Sequence, residues 1–498
     1  MFKSVPFKSR KLRIGLLAAI IALALLDFAW PRLVGAPEGK PEEPRFPALK
    51  PLTNESITPA PTAISPGYQP GLKEFWDSFS KAVAEAQPHC QIGLPPDFQG
   101  VPINSFSNLK PGFNYRPDLV QVSTEDVDDL RNAHSHFVAK IPELAPQLPF
   151  AKGTKGIVTT ASDNFMPVLI VSLRALQRSG TKLPVEVFME SQAVYEKEVC
   201  EVILPTLNAR CLVMSEILDA VPNRIQISKY QLKVLSILFS SFDEMLLFDA
   251  DNLVMEKPED LFSTEPFVSK GLVTWPDYWA STASPHYFTI SSQATPSPSI
   301  RAASESGQLL MSKSLHTPTL LLTTYYNIYG PSHYYPLLSQ GAPGQGDKET
   351  FLAAALALSK PFYTVVTPPK TFGFHSDAGK NFKGTAALQH SPLQDYQYHV
   401  LKNSSITDPD KNIPVAFVHA QTYKMDAAAI PDIFNSEINT RIFGSRERVV
   451  QLCGRDVEKQ MWGDALYTGC QLEKGFRAWE GKKGICKKIG RVYKFLFN

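Results

Sequence analysis

The segment that decides the fold is Glu244-Met-Leu-Leu-Phe-Asp-Ala-Asp-Asn-Leu253, an apolar run that ends in two carboxylates. A short run of large apolar residues is typical of a strand buried inside a sheet. Asp249 and Asp251 follow this run directly, and their oxygens are hard ligands able to meet on one cation. A divalent ion held there neutralises the charge that develops when a diphosphate leaves. The segment therefore predicts a metal site at the end of a buried strand.

The same tripeptide pattern occurs twice more, and neither copy follows a strand. Asp126-Val-Asp128 lies in a helical stretch, where side chains two residues apart diverge. Asp408-Pro-Asp410 lies in a polar stretch that indicates a turn. Haloacid-dehalogenase-like phosphatases also place Asp-x-Asp after an apolar strand, but at the start of their domain. A long α/β pattern precedes Asp249, so the phosphatase remains only as an alternative enzyme class.

Strands and helices alternate upstream of the carboxylate pair. This alternation predicts a mostly parallel sheet with right-handed crossovers, in which ligands bind at the carboxyl ends of the strands. A helix over 72–86 and a capping box at Ser123-Thr-Glu-Asp126 precede the regular pattern. The predicted strands are 156–160, 184–188, 211–214 and 244–248, and the predicted helices between them are 166–178, 192–203 and 229–239.

The N-terminal residues predict a membrane anchor. Residues 1–13 carry five cations and no acid, which predicts a cytosolic tail, and residues 14–30 form an apolar run near the lower length limit for a span. A cleaved signal peptide is the alternative, with Val34-Gly-Ala36 as the cleavage site, but Pro37 argues against processing. We therefore expect a single-pass type II protein with a lumenal body. Ten prolines in 31–70 predict an extended stem.

The body divides into three predicted parts: a helical segment over 71–150, a catalytic domain over 151–430, and a Cys-containing extension over 431–498. All six cysteines follow the anchor and none forms a CxxC pattern, so disulfides are expected. Cys453, Cys470 and Cys486 cluster near the C-terminus, which suggests that at least one disulfide pins the tail. Sequons at Asn54 and Asn403 are compatible with a lumenal body.

Composition excludes some classes. Hydrophobic residues make up 44% of the chain, as in globular proteins. Lys plus Arg is 50 and Asp plus Glu is 48, so the net charge is +2. That balance lacks the basic excess of nucleic-acid binders, and we expect no nucleic-acid partner.

Several segments carry a family resemblance. Gly156-Ile-Val-Thr-Thr-Ala-Ser162 and Leu246-Leu-Phe-Asp-Ala-Asp-Asn252 resemble the nucleotide-sugar domain of GT-A glycosyltransferases. Five blocks between about 150 and 425 together resemble the fungal Golgi α-mannosyltransferases of glycosyltransferase family 71, and are closer to the α-1,2 branching members than to the α-1,3 members. The three downstream blocks are Trp275-Pro-Asp-Tyr-Trp279, Glu305-Ser-Gly-Gln308 and the long block Tyr325–Phe351, which contains Tyr325-Tyr-Asn-Ile-Tyr-Gly-Pro331, Tyr334-Tyr-Pro-Leu-Leu-Ser-Gln-Gly341 and Gly346-Asp-Lys-Glu-Thr-Phe351.

The resemblance implies a GT-A-like (Rossmann-like) nucleotide-sugar domain that uses GDP-mannose as donor. It implies a retaining, Mn²⁺-dependent transfer to a mannose residue of a glycoprotein glycan and a Golgi membrane location, and it is compatible with a glycosyltransferase complex as partner. An α-1,3 linkage, another donor, and a non-catalytic subunit of a mannan polymerase complex remain as alternatives. The intact pair Asp249 and Asp251 argues against the non-catalytic subunit.

The resemblance also implies the metal and donor residues. Asp249 and Asp251 are the expected metal ligands, and His419, at the end of an apolar run, is the expected third ligand. His419 has an alternative role as a capped core residue, and Lys233 has one as a solvated helix charge. The expected donor-binding residues are Thr159, Thr160, Ser162, Lys233, Asp249 and Lys424.

Two acids and several polar or aromatic residues complete the expected site. Asp347 and Glu349, after a Gly-rich loop, are candidate catalytic carboxylates, although acids in a first helical turn also serve as ordinary dipole partners. A retaining transfer uses one of them as nucleophile or electrostatic support, or uses the donor's own phosphate as base. The expected sugar-binding residues are Trp275, Asp277, Tyr278, Trp279, Glu305 and Gln308.

Overall fold

The computed structural model describes residues 68–95, 104–221, 225, 227, 229–342, 344–376, 381–403 and 405–497. All of them belong to one compact unit, Pro59–Asn498. The predicted tail 1–13, the anchor 14–30, most of the stem 31–70 and the sequon at Asn54 lie outside the described residues. None of the helices in the described ranges is long and apolar enough to cross a bilayer.

The main sheet has seven strands in the order β3-β2-β1-β4-β7-β6-β8. Strands β3, β2, β1 and β4 are parallel neighbours, β7 runs antiparallel between β4 and β6, and β8 is parallel to β6. The mixed, mainly parallel sheet confirms the predicted α/β class and its mostly parallel sheet. Its strands are β1 Ala151–Thr160, β2 Val185–Met189, β3 Ala209–Val213, β4 Phe242–Phe248, β6 Leu272–Ala280, β7 Ala302–Ser312 and β8 Tyr363–Thr364.

A second, antiparallel sheet of four strands was not predicted. Its order is β5-β11-β10-β9, and its register places His419 opposite Asn252, one residue beyond Asp251. The chain leaves β4 through the carboxylate pair and enters this sheet at once, so the pair sits where the two sheets meet. The strands are β5 Asn252–Val254, β9 Lys370–Ser376, β10 Asn381–His390 and β11 Val415–His419.

Helices cover both faces of the main sheet. On one face the helices Leu72–Glu85, Thr124–Leu144, Gln231–Phe239, Lys313–Ile328 and Thr350–Ala357 pack against alternate strand residues such as Val158 and Met245. On the other face the helix Met166–Arg178 and the C-terminal helices pack against Ile157 and Leu246. This alternation follows from the two-residue period of a strand.

The helix bounds follow in chain order. They are α1 Leu72–Glu85, α2 Thr124–Leu144, α3 Met166–Arg178, α4 Ser215–Leu218, α5 Gln231–Phe239, α6 Pro258–Ser263, α7 Phe267–Lys270, α8 Pro285–Ile290, α9 Lys313–Ile328, α10 Tyr335–Ser339, α11 Thr350–Ala357, α12 Pro392–His399, α13 Pro409–Asn412, α14 Ile430–Ile433, α15 Arg446–Cys453, α16 Val457–Gln471 and α17 Ile485–Phe497.

One predicted helix is wrong. The stretch 192–203 is a short 3-10 turn, Gln192–Val194, followed by a π-helical segment, Glu198–Ile203. The disulfide Cys200–Cys211 ties this segment to β3. The predicted capping box is present, because Ser123 and Asp126 exchange side-chain and backbone hydrogen bonds at the start of α2.

A disulfide joins the last two helices, as the cysteine cluster suggested. Cys470 in α16 bonds Cys486 in α17, whereas Cys90 and Cys453 are free thiols. The helices beyond residue 430 share the hydrophobic core with α3 and the second sheet. The C-terminal segment is therefore part of the same packed unit as the sheet.

Candidate active site

The turn after β4 is fixed by its own backbone. Asp249 donates its N–H to the carbonyl of Gly307 in β7 over 2.9 Å, and Asn252 donates to the carbonyl of Asp249 over 2.9 Å. The carbonyl of Asp251 accepts from Ala420 N–H over 3.0 Å. The backbone that carries the two carboxylates is therefore hydrogen-bonded to β7 on one side and to the segment after β11 on the other.

His419 completes a cluster of three candidate metal ligands. Its Nε2 lies 3.1 Å from Asp251 Oδ1 and 3.9 Å from Asp249 Oδ2. One candidate ligand atom of each residue lies within 4.8 Å of those of the other two. Carboxylate and imidazole donors suit Mn²⁺, Mg²⁺ or Zn²⁺. The donor set and its spacing therefore fit a divalent metal, and the structure brings together the three residues expected to hold it.

Charges around the cluster shift its pKa values. Burial lowers the pKa of His419, but Asp251 and Glu305 outweigh burial and raise it to about 10. Burial raises the pKa of Asp251, but His419 and Lys424 outweigh burial and hold it well below its usual range. The cluster is therefore a compact ion-pair network, and a cation held by these residues would take the place of the proton on His419 Nε2.

Two lysines contact the carboxylate pair. Lys233 Nζ lies 3.0 Å from Asp249 Oδ1, donates to the carbonyl of Ser306 over 2.9 Å, and lies 3.6 Å from Asp347 Oδ2. Burial lowers the pKa of Lys233, but Asp249 and Asp347 outweigh it and the net shift is upward. Lys424 contacts Asp251 Oδ2. Both cations lie where an anionic ligand of the metal would extend.

The two candidate catalytic acids occupy different environments. Asp347 lines a cavity of about 310 Å³ beside Asp249, and burial together with Asp249 raises its pKa despite the nearby Lys233. Glu349 does not line that cavity. Its Oε2 pairs with Arg301 over 3.1 Å, and its Oε1 accepts from Ser304 N–H over 2.5 Å. Glu349 thus ties the α11 N-terminus to β7, which contradicts a direct catalytic role.

Two cavities adjoin at the carboxylate pair. The cavity of about 310 Å³ contains Asp277, Glu305, Asp347 and Lys348, and Lys348 pairs with Asp277 over 2.9 Å. A larger cavity of about 540 Å³ extends along the ends of β1 and β2. Its walls include Asp249, Asp251, His419, Lys424, Phe165, Phe188 and Glu190. Thr160, Lys229, Tyr230, Asp249 and Gln421 border both.

The three predicted donor-binding residues at the end of β1 do not all face the cavity. Thr160 and Ser162 line the larger cavity, as expected for residues that contact a ligand. Thr159 is fully buried and points to the opposite face of β1, so the structure contradicts donor contact through its side chain.

Four of the predicted sugar-binding side chains line neither cavity. Trp275 is fully buried, donates Nε1–H to the carbonyl of His390 and packs edge-on against Phe417, so its face is not free for a sugar ring. Gln308 is fully buried and accepts from Asn252 Nδ2 over 2.7 Å. Trp279 is 36% exposed but does not line either cavity. Tyr278, named with them, bonds the carbonyl of Lys370 over 2.9 Å.

Several cavity residues were missed in the sequence. Gly307 lies inside the quoted block Glu305–Gln308, and a Cβ there would fall 2.3 Å from His419 Nδ1. A glycine within an otherwise regular strand is itself a signal of close approach. Tyr230, Gln421 and Lys348 carry no comparable signal, because their positions depend on loops from distant parts of the chain.

Comparisons with known proteins agree with the geometry. A family model of mannosyltransferases, Mannosyl_trans3, matches residues 154–302 and 297–391. The α-1,2-mannosyltransferase MNN21 of Candida albicans is 32% identical over 85% of this chain and 74% of its own length. The α-1,2-mannosyltransferase MNN2 of Saccharomyces cerevisiae is 35% identical over 58% of this chain and 53% of its own.

Among solved structures, a galactosyltransferase, LgtC, in complex with donor and acceptor sugar analogues matches with a TM-score of 0.32. The two chains are 16% identical, and the match covers 60% of this chain and 95% of the other. A likeness of this size carries no argument about the site.

Proposed function

This chain belongs to the fungal α-1,2-mannosyltransferases, and on that premise we propose that it transfers mannose from GDP-mannose to a mannose residue of a glycoprotein glycan. The bond between the anomeric carbon and the phosphate oxygen breaks, and a bond from that carbon to an acceptor hydroxyl oxygen forms. The hydroxyl proton is released and GDP leaves. Because donor and product are both α-linked, the transfer is retaining.

The observation that carries the proposal is the buried cluster Asp249, Asp251 and His419 at the mouth of two cavities. When bound, a divalent metal such as Mn²⁺ supplies positive charge to the diphosphate and to the leaving phosphate. The three residues would hold it. Lys233 and Lys424 add fixed cations on either side, so the diphosphate meets donors that need no reorganisation during the reaction.

The larger cavity suits the nucleoside. Thr160 and Ser162 lie at the carboxyl end of β1, where ligands of parallel sheets bind. Further along this cavity, Phe165 offers an exposed ring and Glu190 an exposed carboxylate. A carboxylate accepts two adjacent N–H donors, and guanine presents such a pair whereas uracil does not. This chemistry supports GDP over UDP as the carrier.

The smaller cavity suits the transferred mannose and the acceptor. The charged groups of Asp277, Asp347 and Lys348 line it and can hydrogen-bond sugar hydroxyls. Asp347 is the catalytic candidate that faces this space, as nucleophile or as support for the oxocarbenium-like state. The α-1,2 linkage is supported by the names of the relatives.

The wider setting is proposed on the sequence. The strand order with Asp-x-Asp after the fourth strand supports a GT-A-like domain. The apolar run 14–30 and the Pro-rich stretch 31–70 support a single-pass type II protein of the Golgi membrane with its body in the lumen. The family resemblance extends the proposal to partner glycosyltransferases in one complex. Two disulfides fit that oxidising lumen.

A donor panel tests the proposal. The full-length protein is incubated with Mn²⁺, an α-mannobiose acceptor, and either GDP-mannose, UDP-galactose or UDP-glucose. We expect transfer from GDP-mannose alone and an α-1,2 linkage in the product by NMR. Transfer from a UDP-sugar, or an α-1,3 product, contradicts the donor or the linkage. No transfer from any donor by folded protein supports the alternative of a non-catalytic subunit.

A further inference from the structure

Both carboxylate oxygens of Glu305 make hydrogen bonds inside the protein. Oε1 accepts the N–H of Gly307 over 2.7 Å and lies 3.0 Å from His419 Nδ1. Oε2 accepts Nε2–H of Gln308 over 2.5 Å. The residue is only 9% exposed, and although it lines the smaller cavity, these three contacts use most of the about four acceptor positions of its carboxylate.

The contact with His419 decides which ring nitrogen is available. A neutral imidazole carries one proton, and a carboxylate at Nδ1 favours the tautomer with that proton on Nδ1. Nε2, which lies 3.1 Å from Asp251 Oδ1, then presents its lone pair toward the two aspartates. Glu305 and the aspartates therefore lie on opposite sides of one ring.

We propose that Glu305 is a positioning residue for the metal centre, which orients His419 through Nδ1, and that it is not a sugar ligand. The inference rests on the proposed function, because it requires that His419 binds a metal. It replaces the sugar-binding role expected from the sequence with a role exerted through another side chain.

The backbone and neighbouring side chains are shaped around this contact. Gly307 lacks a side chain where a Cβ would lie 2.3 Å from His419 Nδ1 and 2.7 Å from Glu305 Oε1. Asn252, paired with His419 across the second sheet, donates Nδ2–H to Gly307 O over 2.8 Å and to Gln308 Oε1 over 2.7 Å. The block Glu305–Gln308 thus forms a closed hydrogen-bonded cradle behind His419.

Direct Mn²⁺ binding tests the inference. The dissociation constant for Mn²⁺ alone is measured on full-length protein by calorimetry or by EPR of free Mn²⁺, with no donor or acceptor. Glu305→Gln removes the charge and sets an amide N–H against Gln308 Nε2, and we expect about 10- to 100-fold weaker binding. Asp277→Asn is the matched control, because it removes one negative charge from the same cavity without touching His419; its affinity should stay within about twofold.

A double-mutant cycle separates positioning from simple electrostatics. If Glu305 acts through His419, adding Glu305→Gln to His419→Ala should change Mn²⁺ affinity by less than about twofold. Glu305→Asp, which keeps the charge but shortens the reach, serves if the Gln variant does not fold, and it should also weaken binding.

Three outcomes overturn the inference. Unchanged Mn²⁺ affinity in a folded Glu305 variant that has lost mannose transfer would assign Glu305 to the sugar. Equal effects of Glu305→Gln with and without His419 would reduce it to a general charge effect. Absence of Mn²⁺ binding by the wild-type protein would contradict the metal centre of the proposed function itself, and this inference with it.

Discussion

At the residue scale, the environments of Asp347 and Glu349 predict opposite consequences of substitution. Asp347 faces the smaller cavity beside Asp249 and Lys233. Glu349 bonds Arg301 and the Ser304 N–H. We expect Asp347→Asn to lower kcat for mannose transfer by about 100-fold or more with an almost unchanged melting temperature.

Glu349→Gln should instead lower the melting temperature and leave kcat almost unchanged. Loss of its charge leaves the Arg301 guanidinium without its buried partner, which costs about 3 kcal/mol of stability. The measurements are transfer kinetics and thermal unfolding on both variants. Full stability together with lost turnover in Glu349→Gln would contradict the assignment and return this residue to the catalytic candidates.

A second residue-scale prediction concerns pH. Burial raises the pKa of Glu256 to about 7, while Ser391 Oγ donates to its carboxylate over 3.0 Å and partly opposes the shift. The folded protein therefore holds this proton more tightly than the unfolded chain. The stability it contributes is complete below about pH 4.3, the ordinary Glu value, and is lost as pH rises through 7.

Glu256→Gln removes that dependence. We expect the melting temperature of the variant to gain on that of the wild-type protein as pH rises from 5 to 8, because only the wild-type protein must ionise a buried carboxyl. Melting curves of both proteins across this range are the measurement. Parallel profiles for the two proteins would show that Glu256 does not titrate in this window.

At this scale the sequence predicted which residues form the site better than it predicted where their side chains point. Asp249 and Asp251 were predicted because a strand end limits where a following side chain can go, whereas His419 was expected from the family resemblance. Trp275 was wrongly placed because the face that a strand residue presents depends on register, and the register of β6 against β7 shifts on both sides of Trp275. Glu305 was recognised as important, but its partner lies 114 residues away, so its role required the fold.

At the element scale, local pattern predicted the parallel half of the molecule. Strands β1 to β4 and helices α1, α3 and α5 lie close to their predicted positions, because buried strands and amphipathic helices have strong periodic signals. The second sheet was missed because β5 is a three-residue edge strand that ends at Val254, whereas its partner β11 begins only at Val415. That sheet delivers His419, so an essential part of the site could not be derived locally.

The disulfide between α16 and α17 supports an element-scale prediction. It closes a loop with a sequence separation of 16. A loop of that size stabilises the folded state by about 3 kcal/mol, because the cross-link restricts the unfolded chain. We expect the double substitution Cys470→Ala with Cys486→Ala to lower the free energy of unfolding by about that amount.

Chemical denaturation of both proteins, with and without reductant, measures this effect. Reductant should destabilise the wild-type protein further than the double variant, which keeps the disulfide Cys200–Cys211. The control is Cys453→Ala, which removes a free thiol. Reductant should destabilise this variant as much as it destabilises the wild-type protein. Equal sensitivity of the wild-type protein and the double variant to reductant would show that the bond contributes nothing.

At the scale of the whole molecule, the segment after residue 430 behaves as part of the core. Asp464 in α16 accepts from Arg174 over 2.9 Å and from Arg178 over 2.8 Å, and both arginines belong to α3. Trp479 is buried and donates Nε1–H to Asp426 over 2.8 Å. The sequence offered no family match here, so packing alone reveals its role.

Deletion of residues 431–498 should therefore prevent folding. The truncated chain would expose the apolar face of α3 and leave two arginines without Asp464, and we expect aggregation on expression. Size-exclusion chromatography and thermal unfolding of the chain ending at 430 are the measurement. A monomeric product with a cooperative transition would show that the extension folds separately from the sheet.

The central claim is that the carboxylate pair after β4 serves mannose transfer. The most direct measurement compares GDP-mannose turnover by full-length wild-type protein with that of Asp251→Asn and Asp128→Asn, all with Mn²⁺. Asp128 belongs to the same tripeptide pattern but pairs with Arg131 on the exposed face of α2. We predict loss of at least about 100-fold in Asp251→Asn and unchanged turnover in Asp128→Asn. Equal turnover by Asp251→Asn and the wild-type protein would contradict the account.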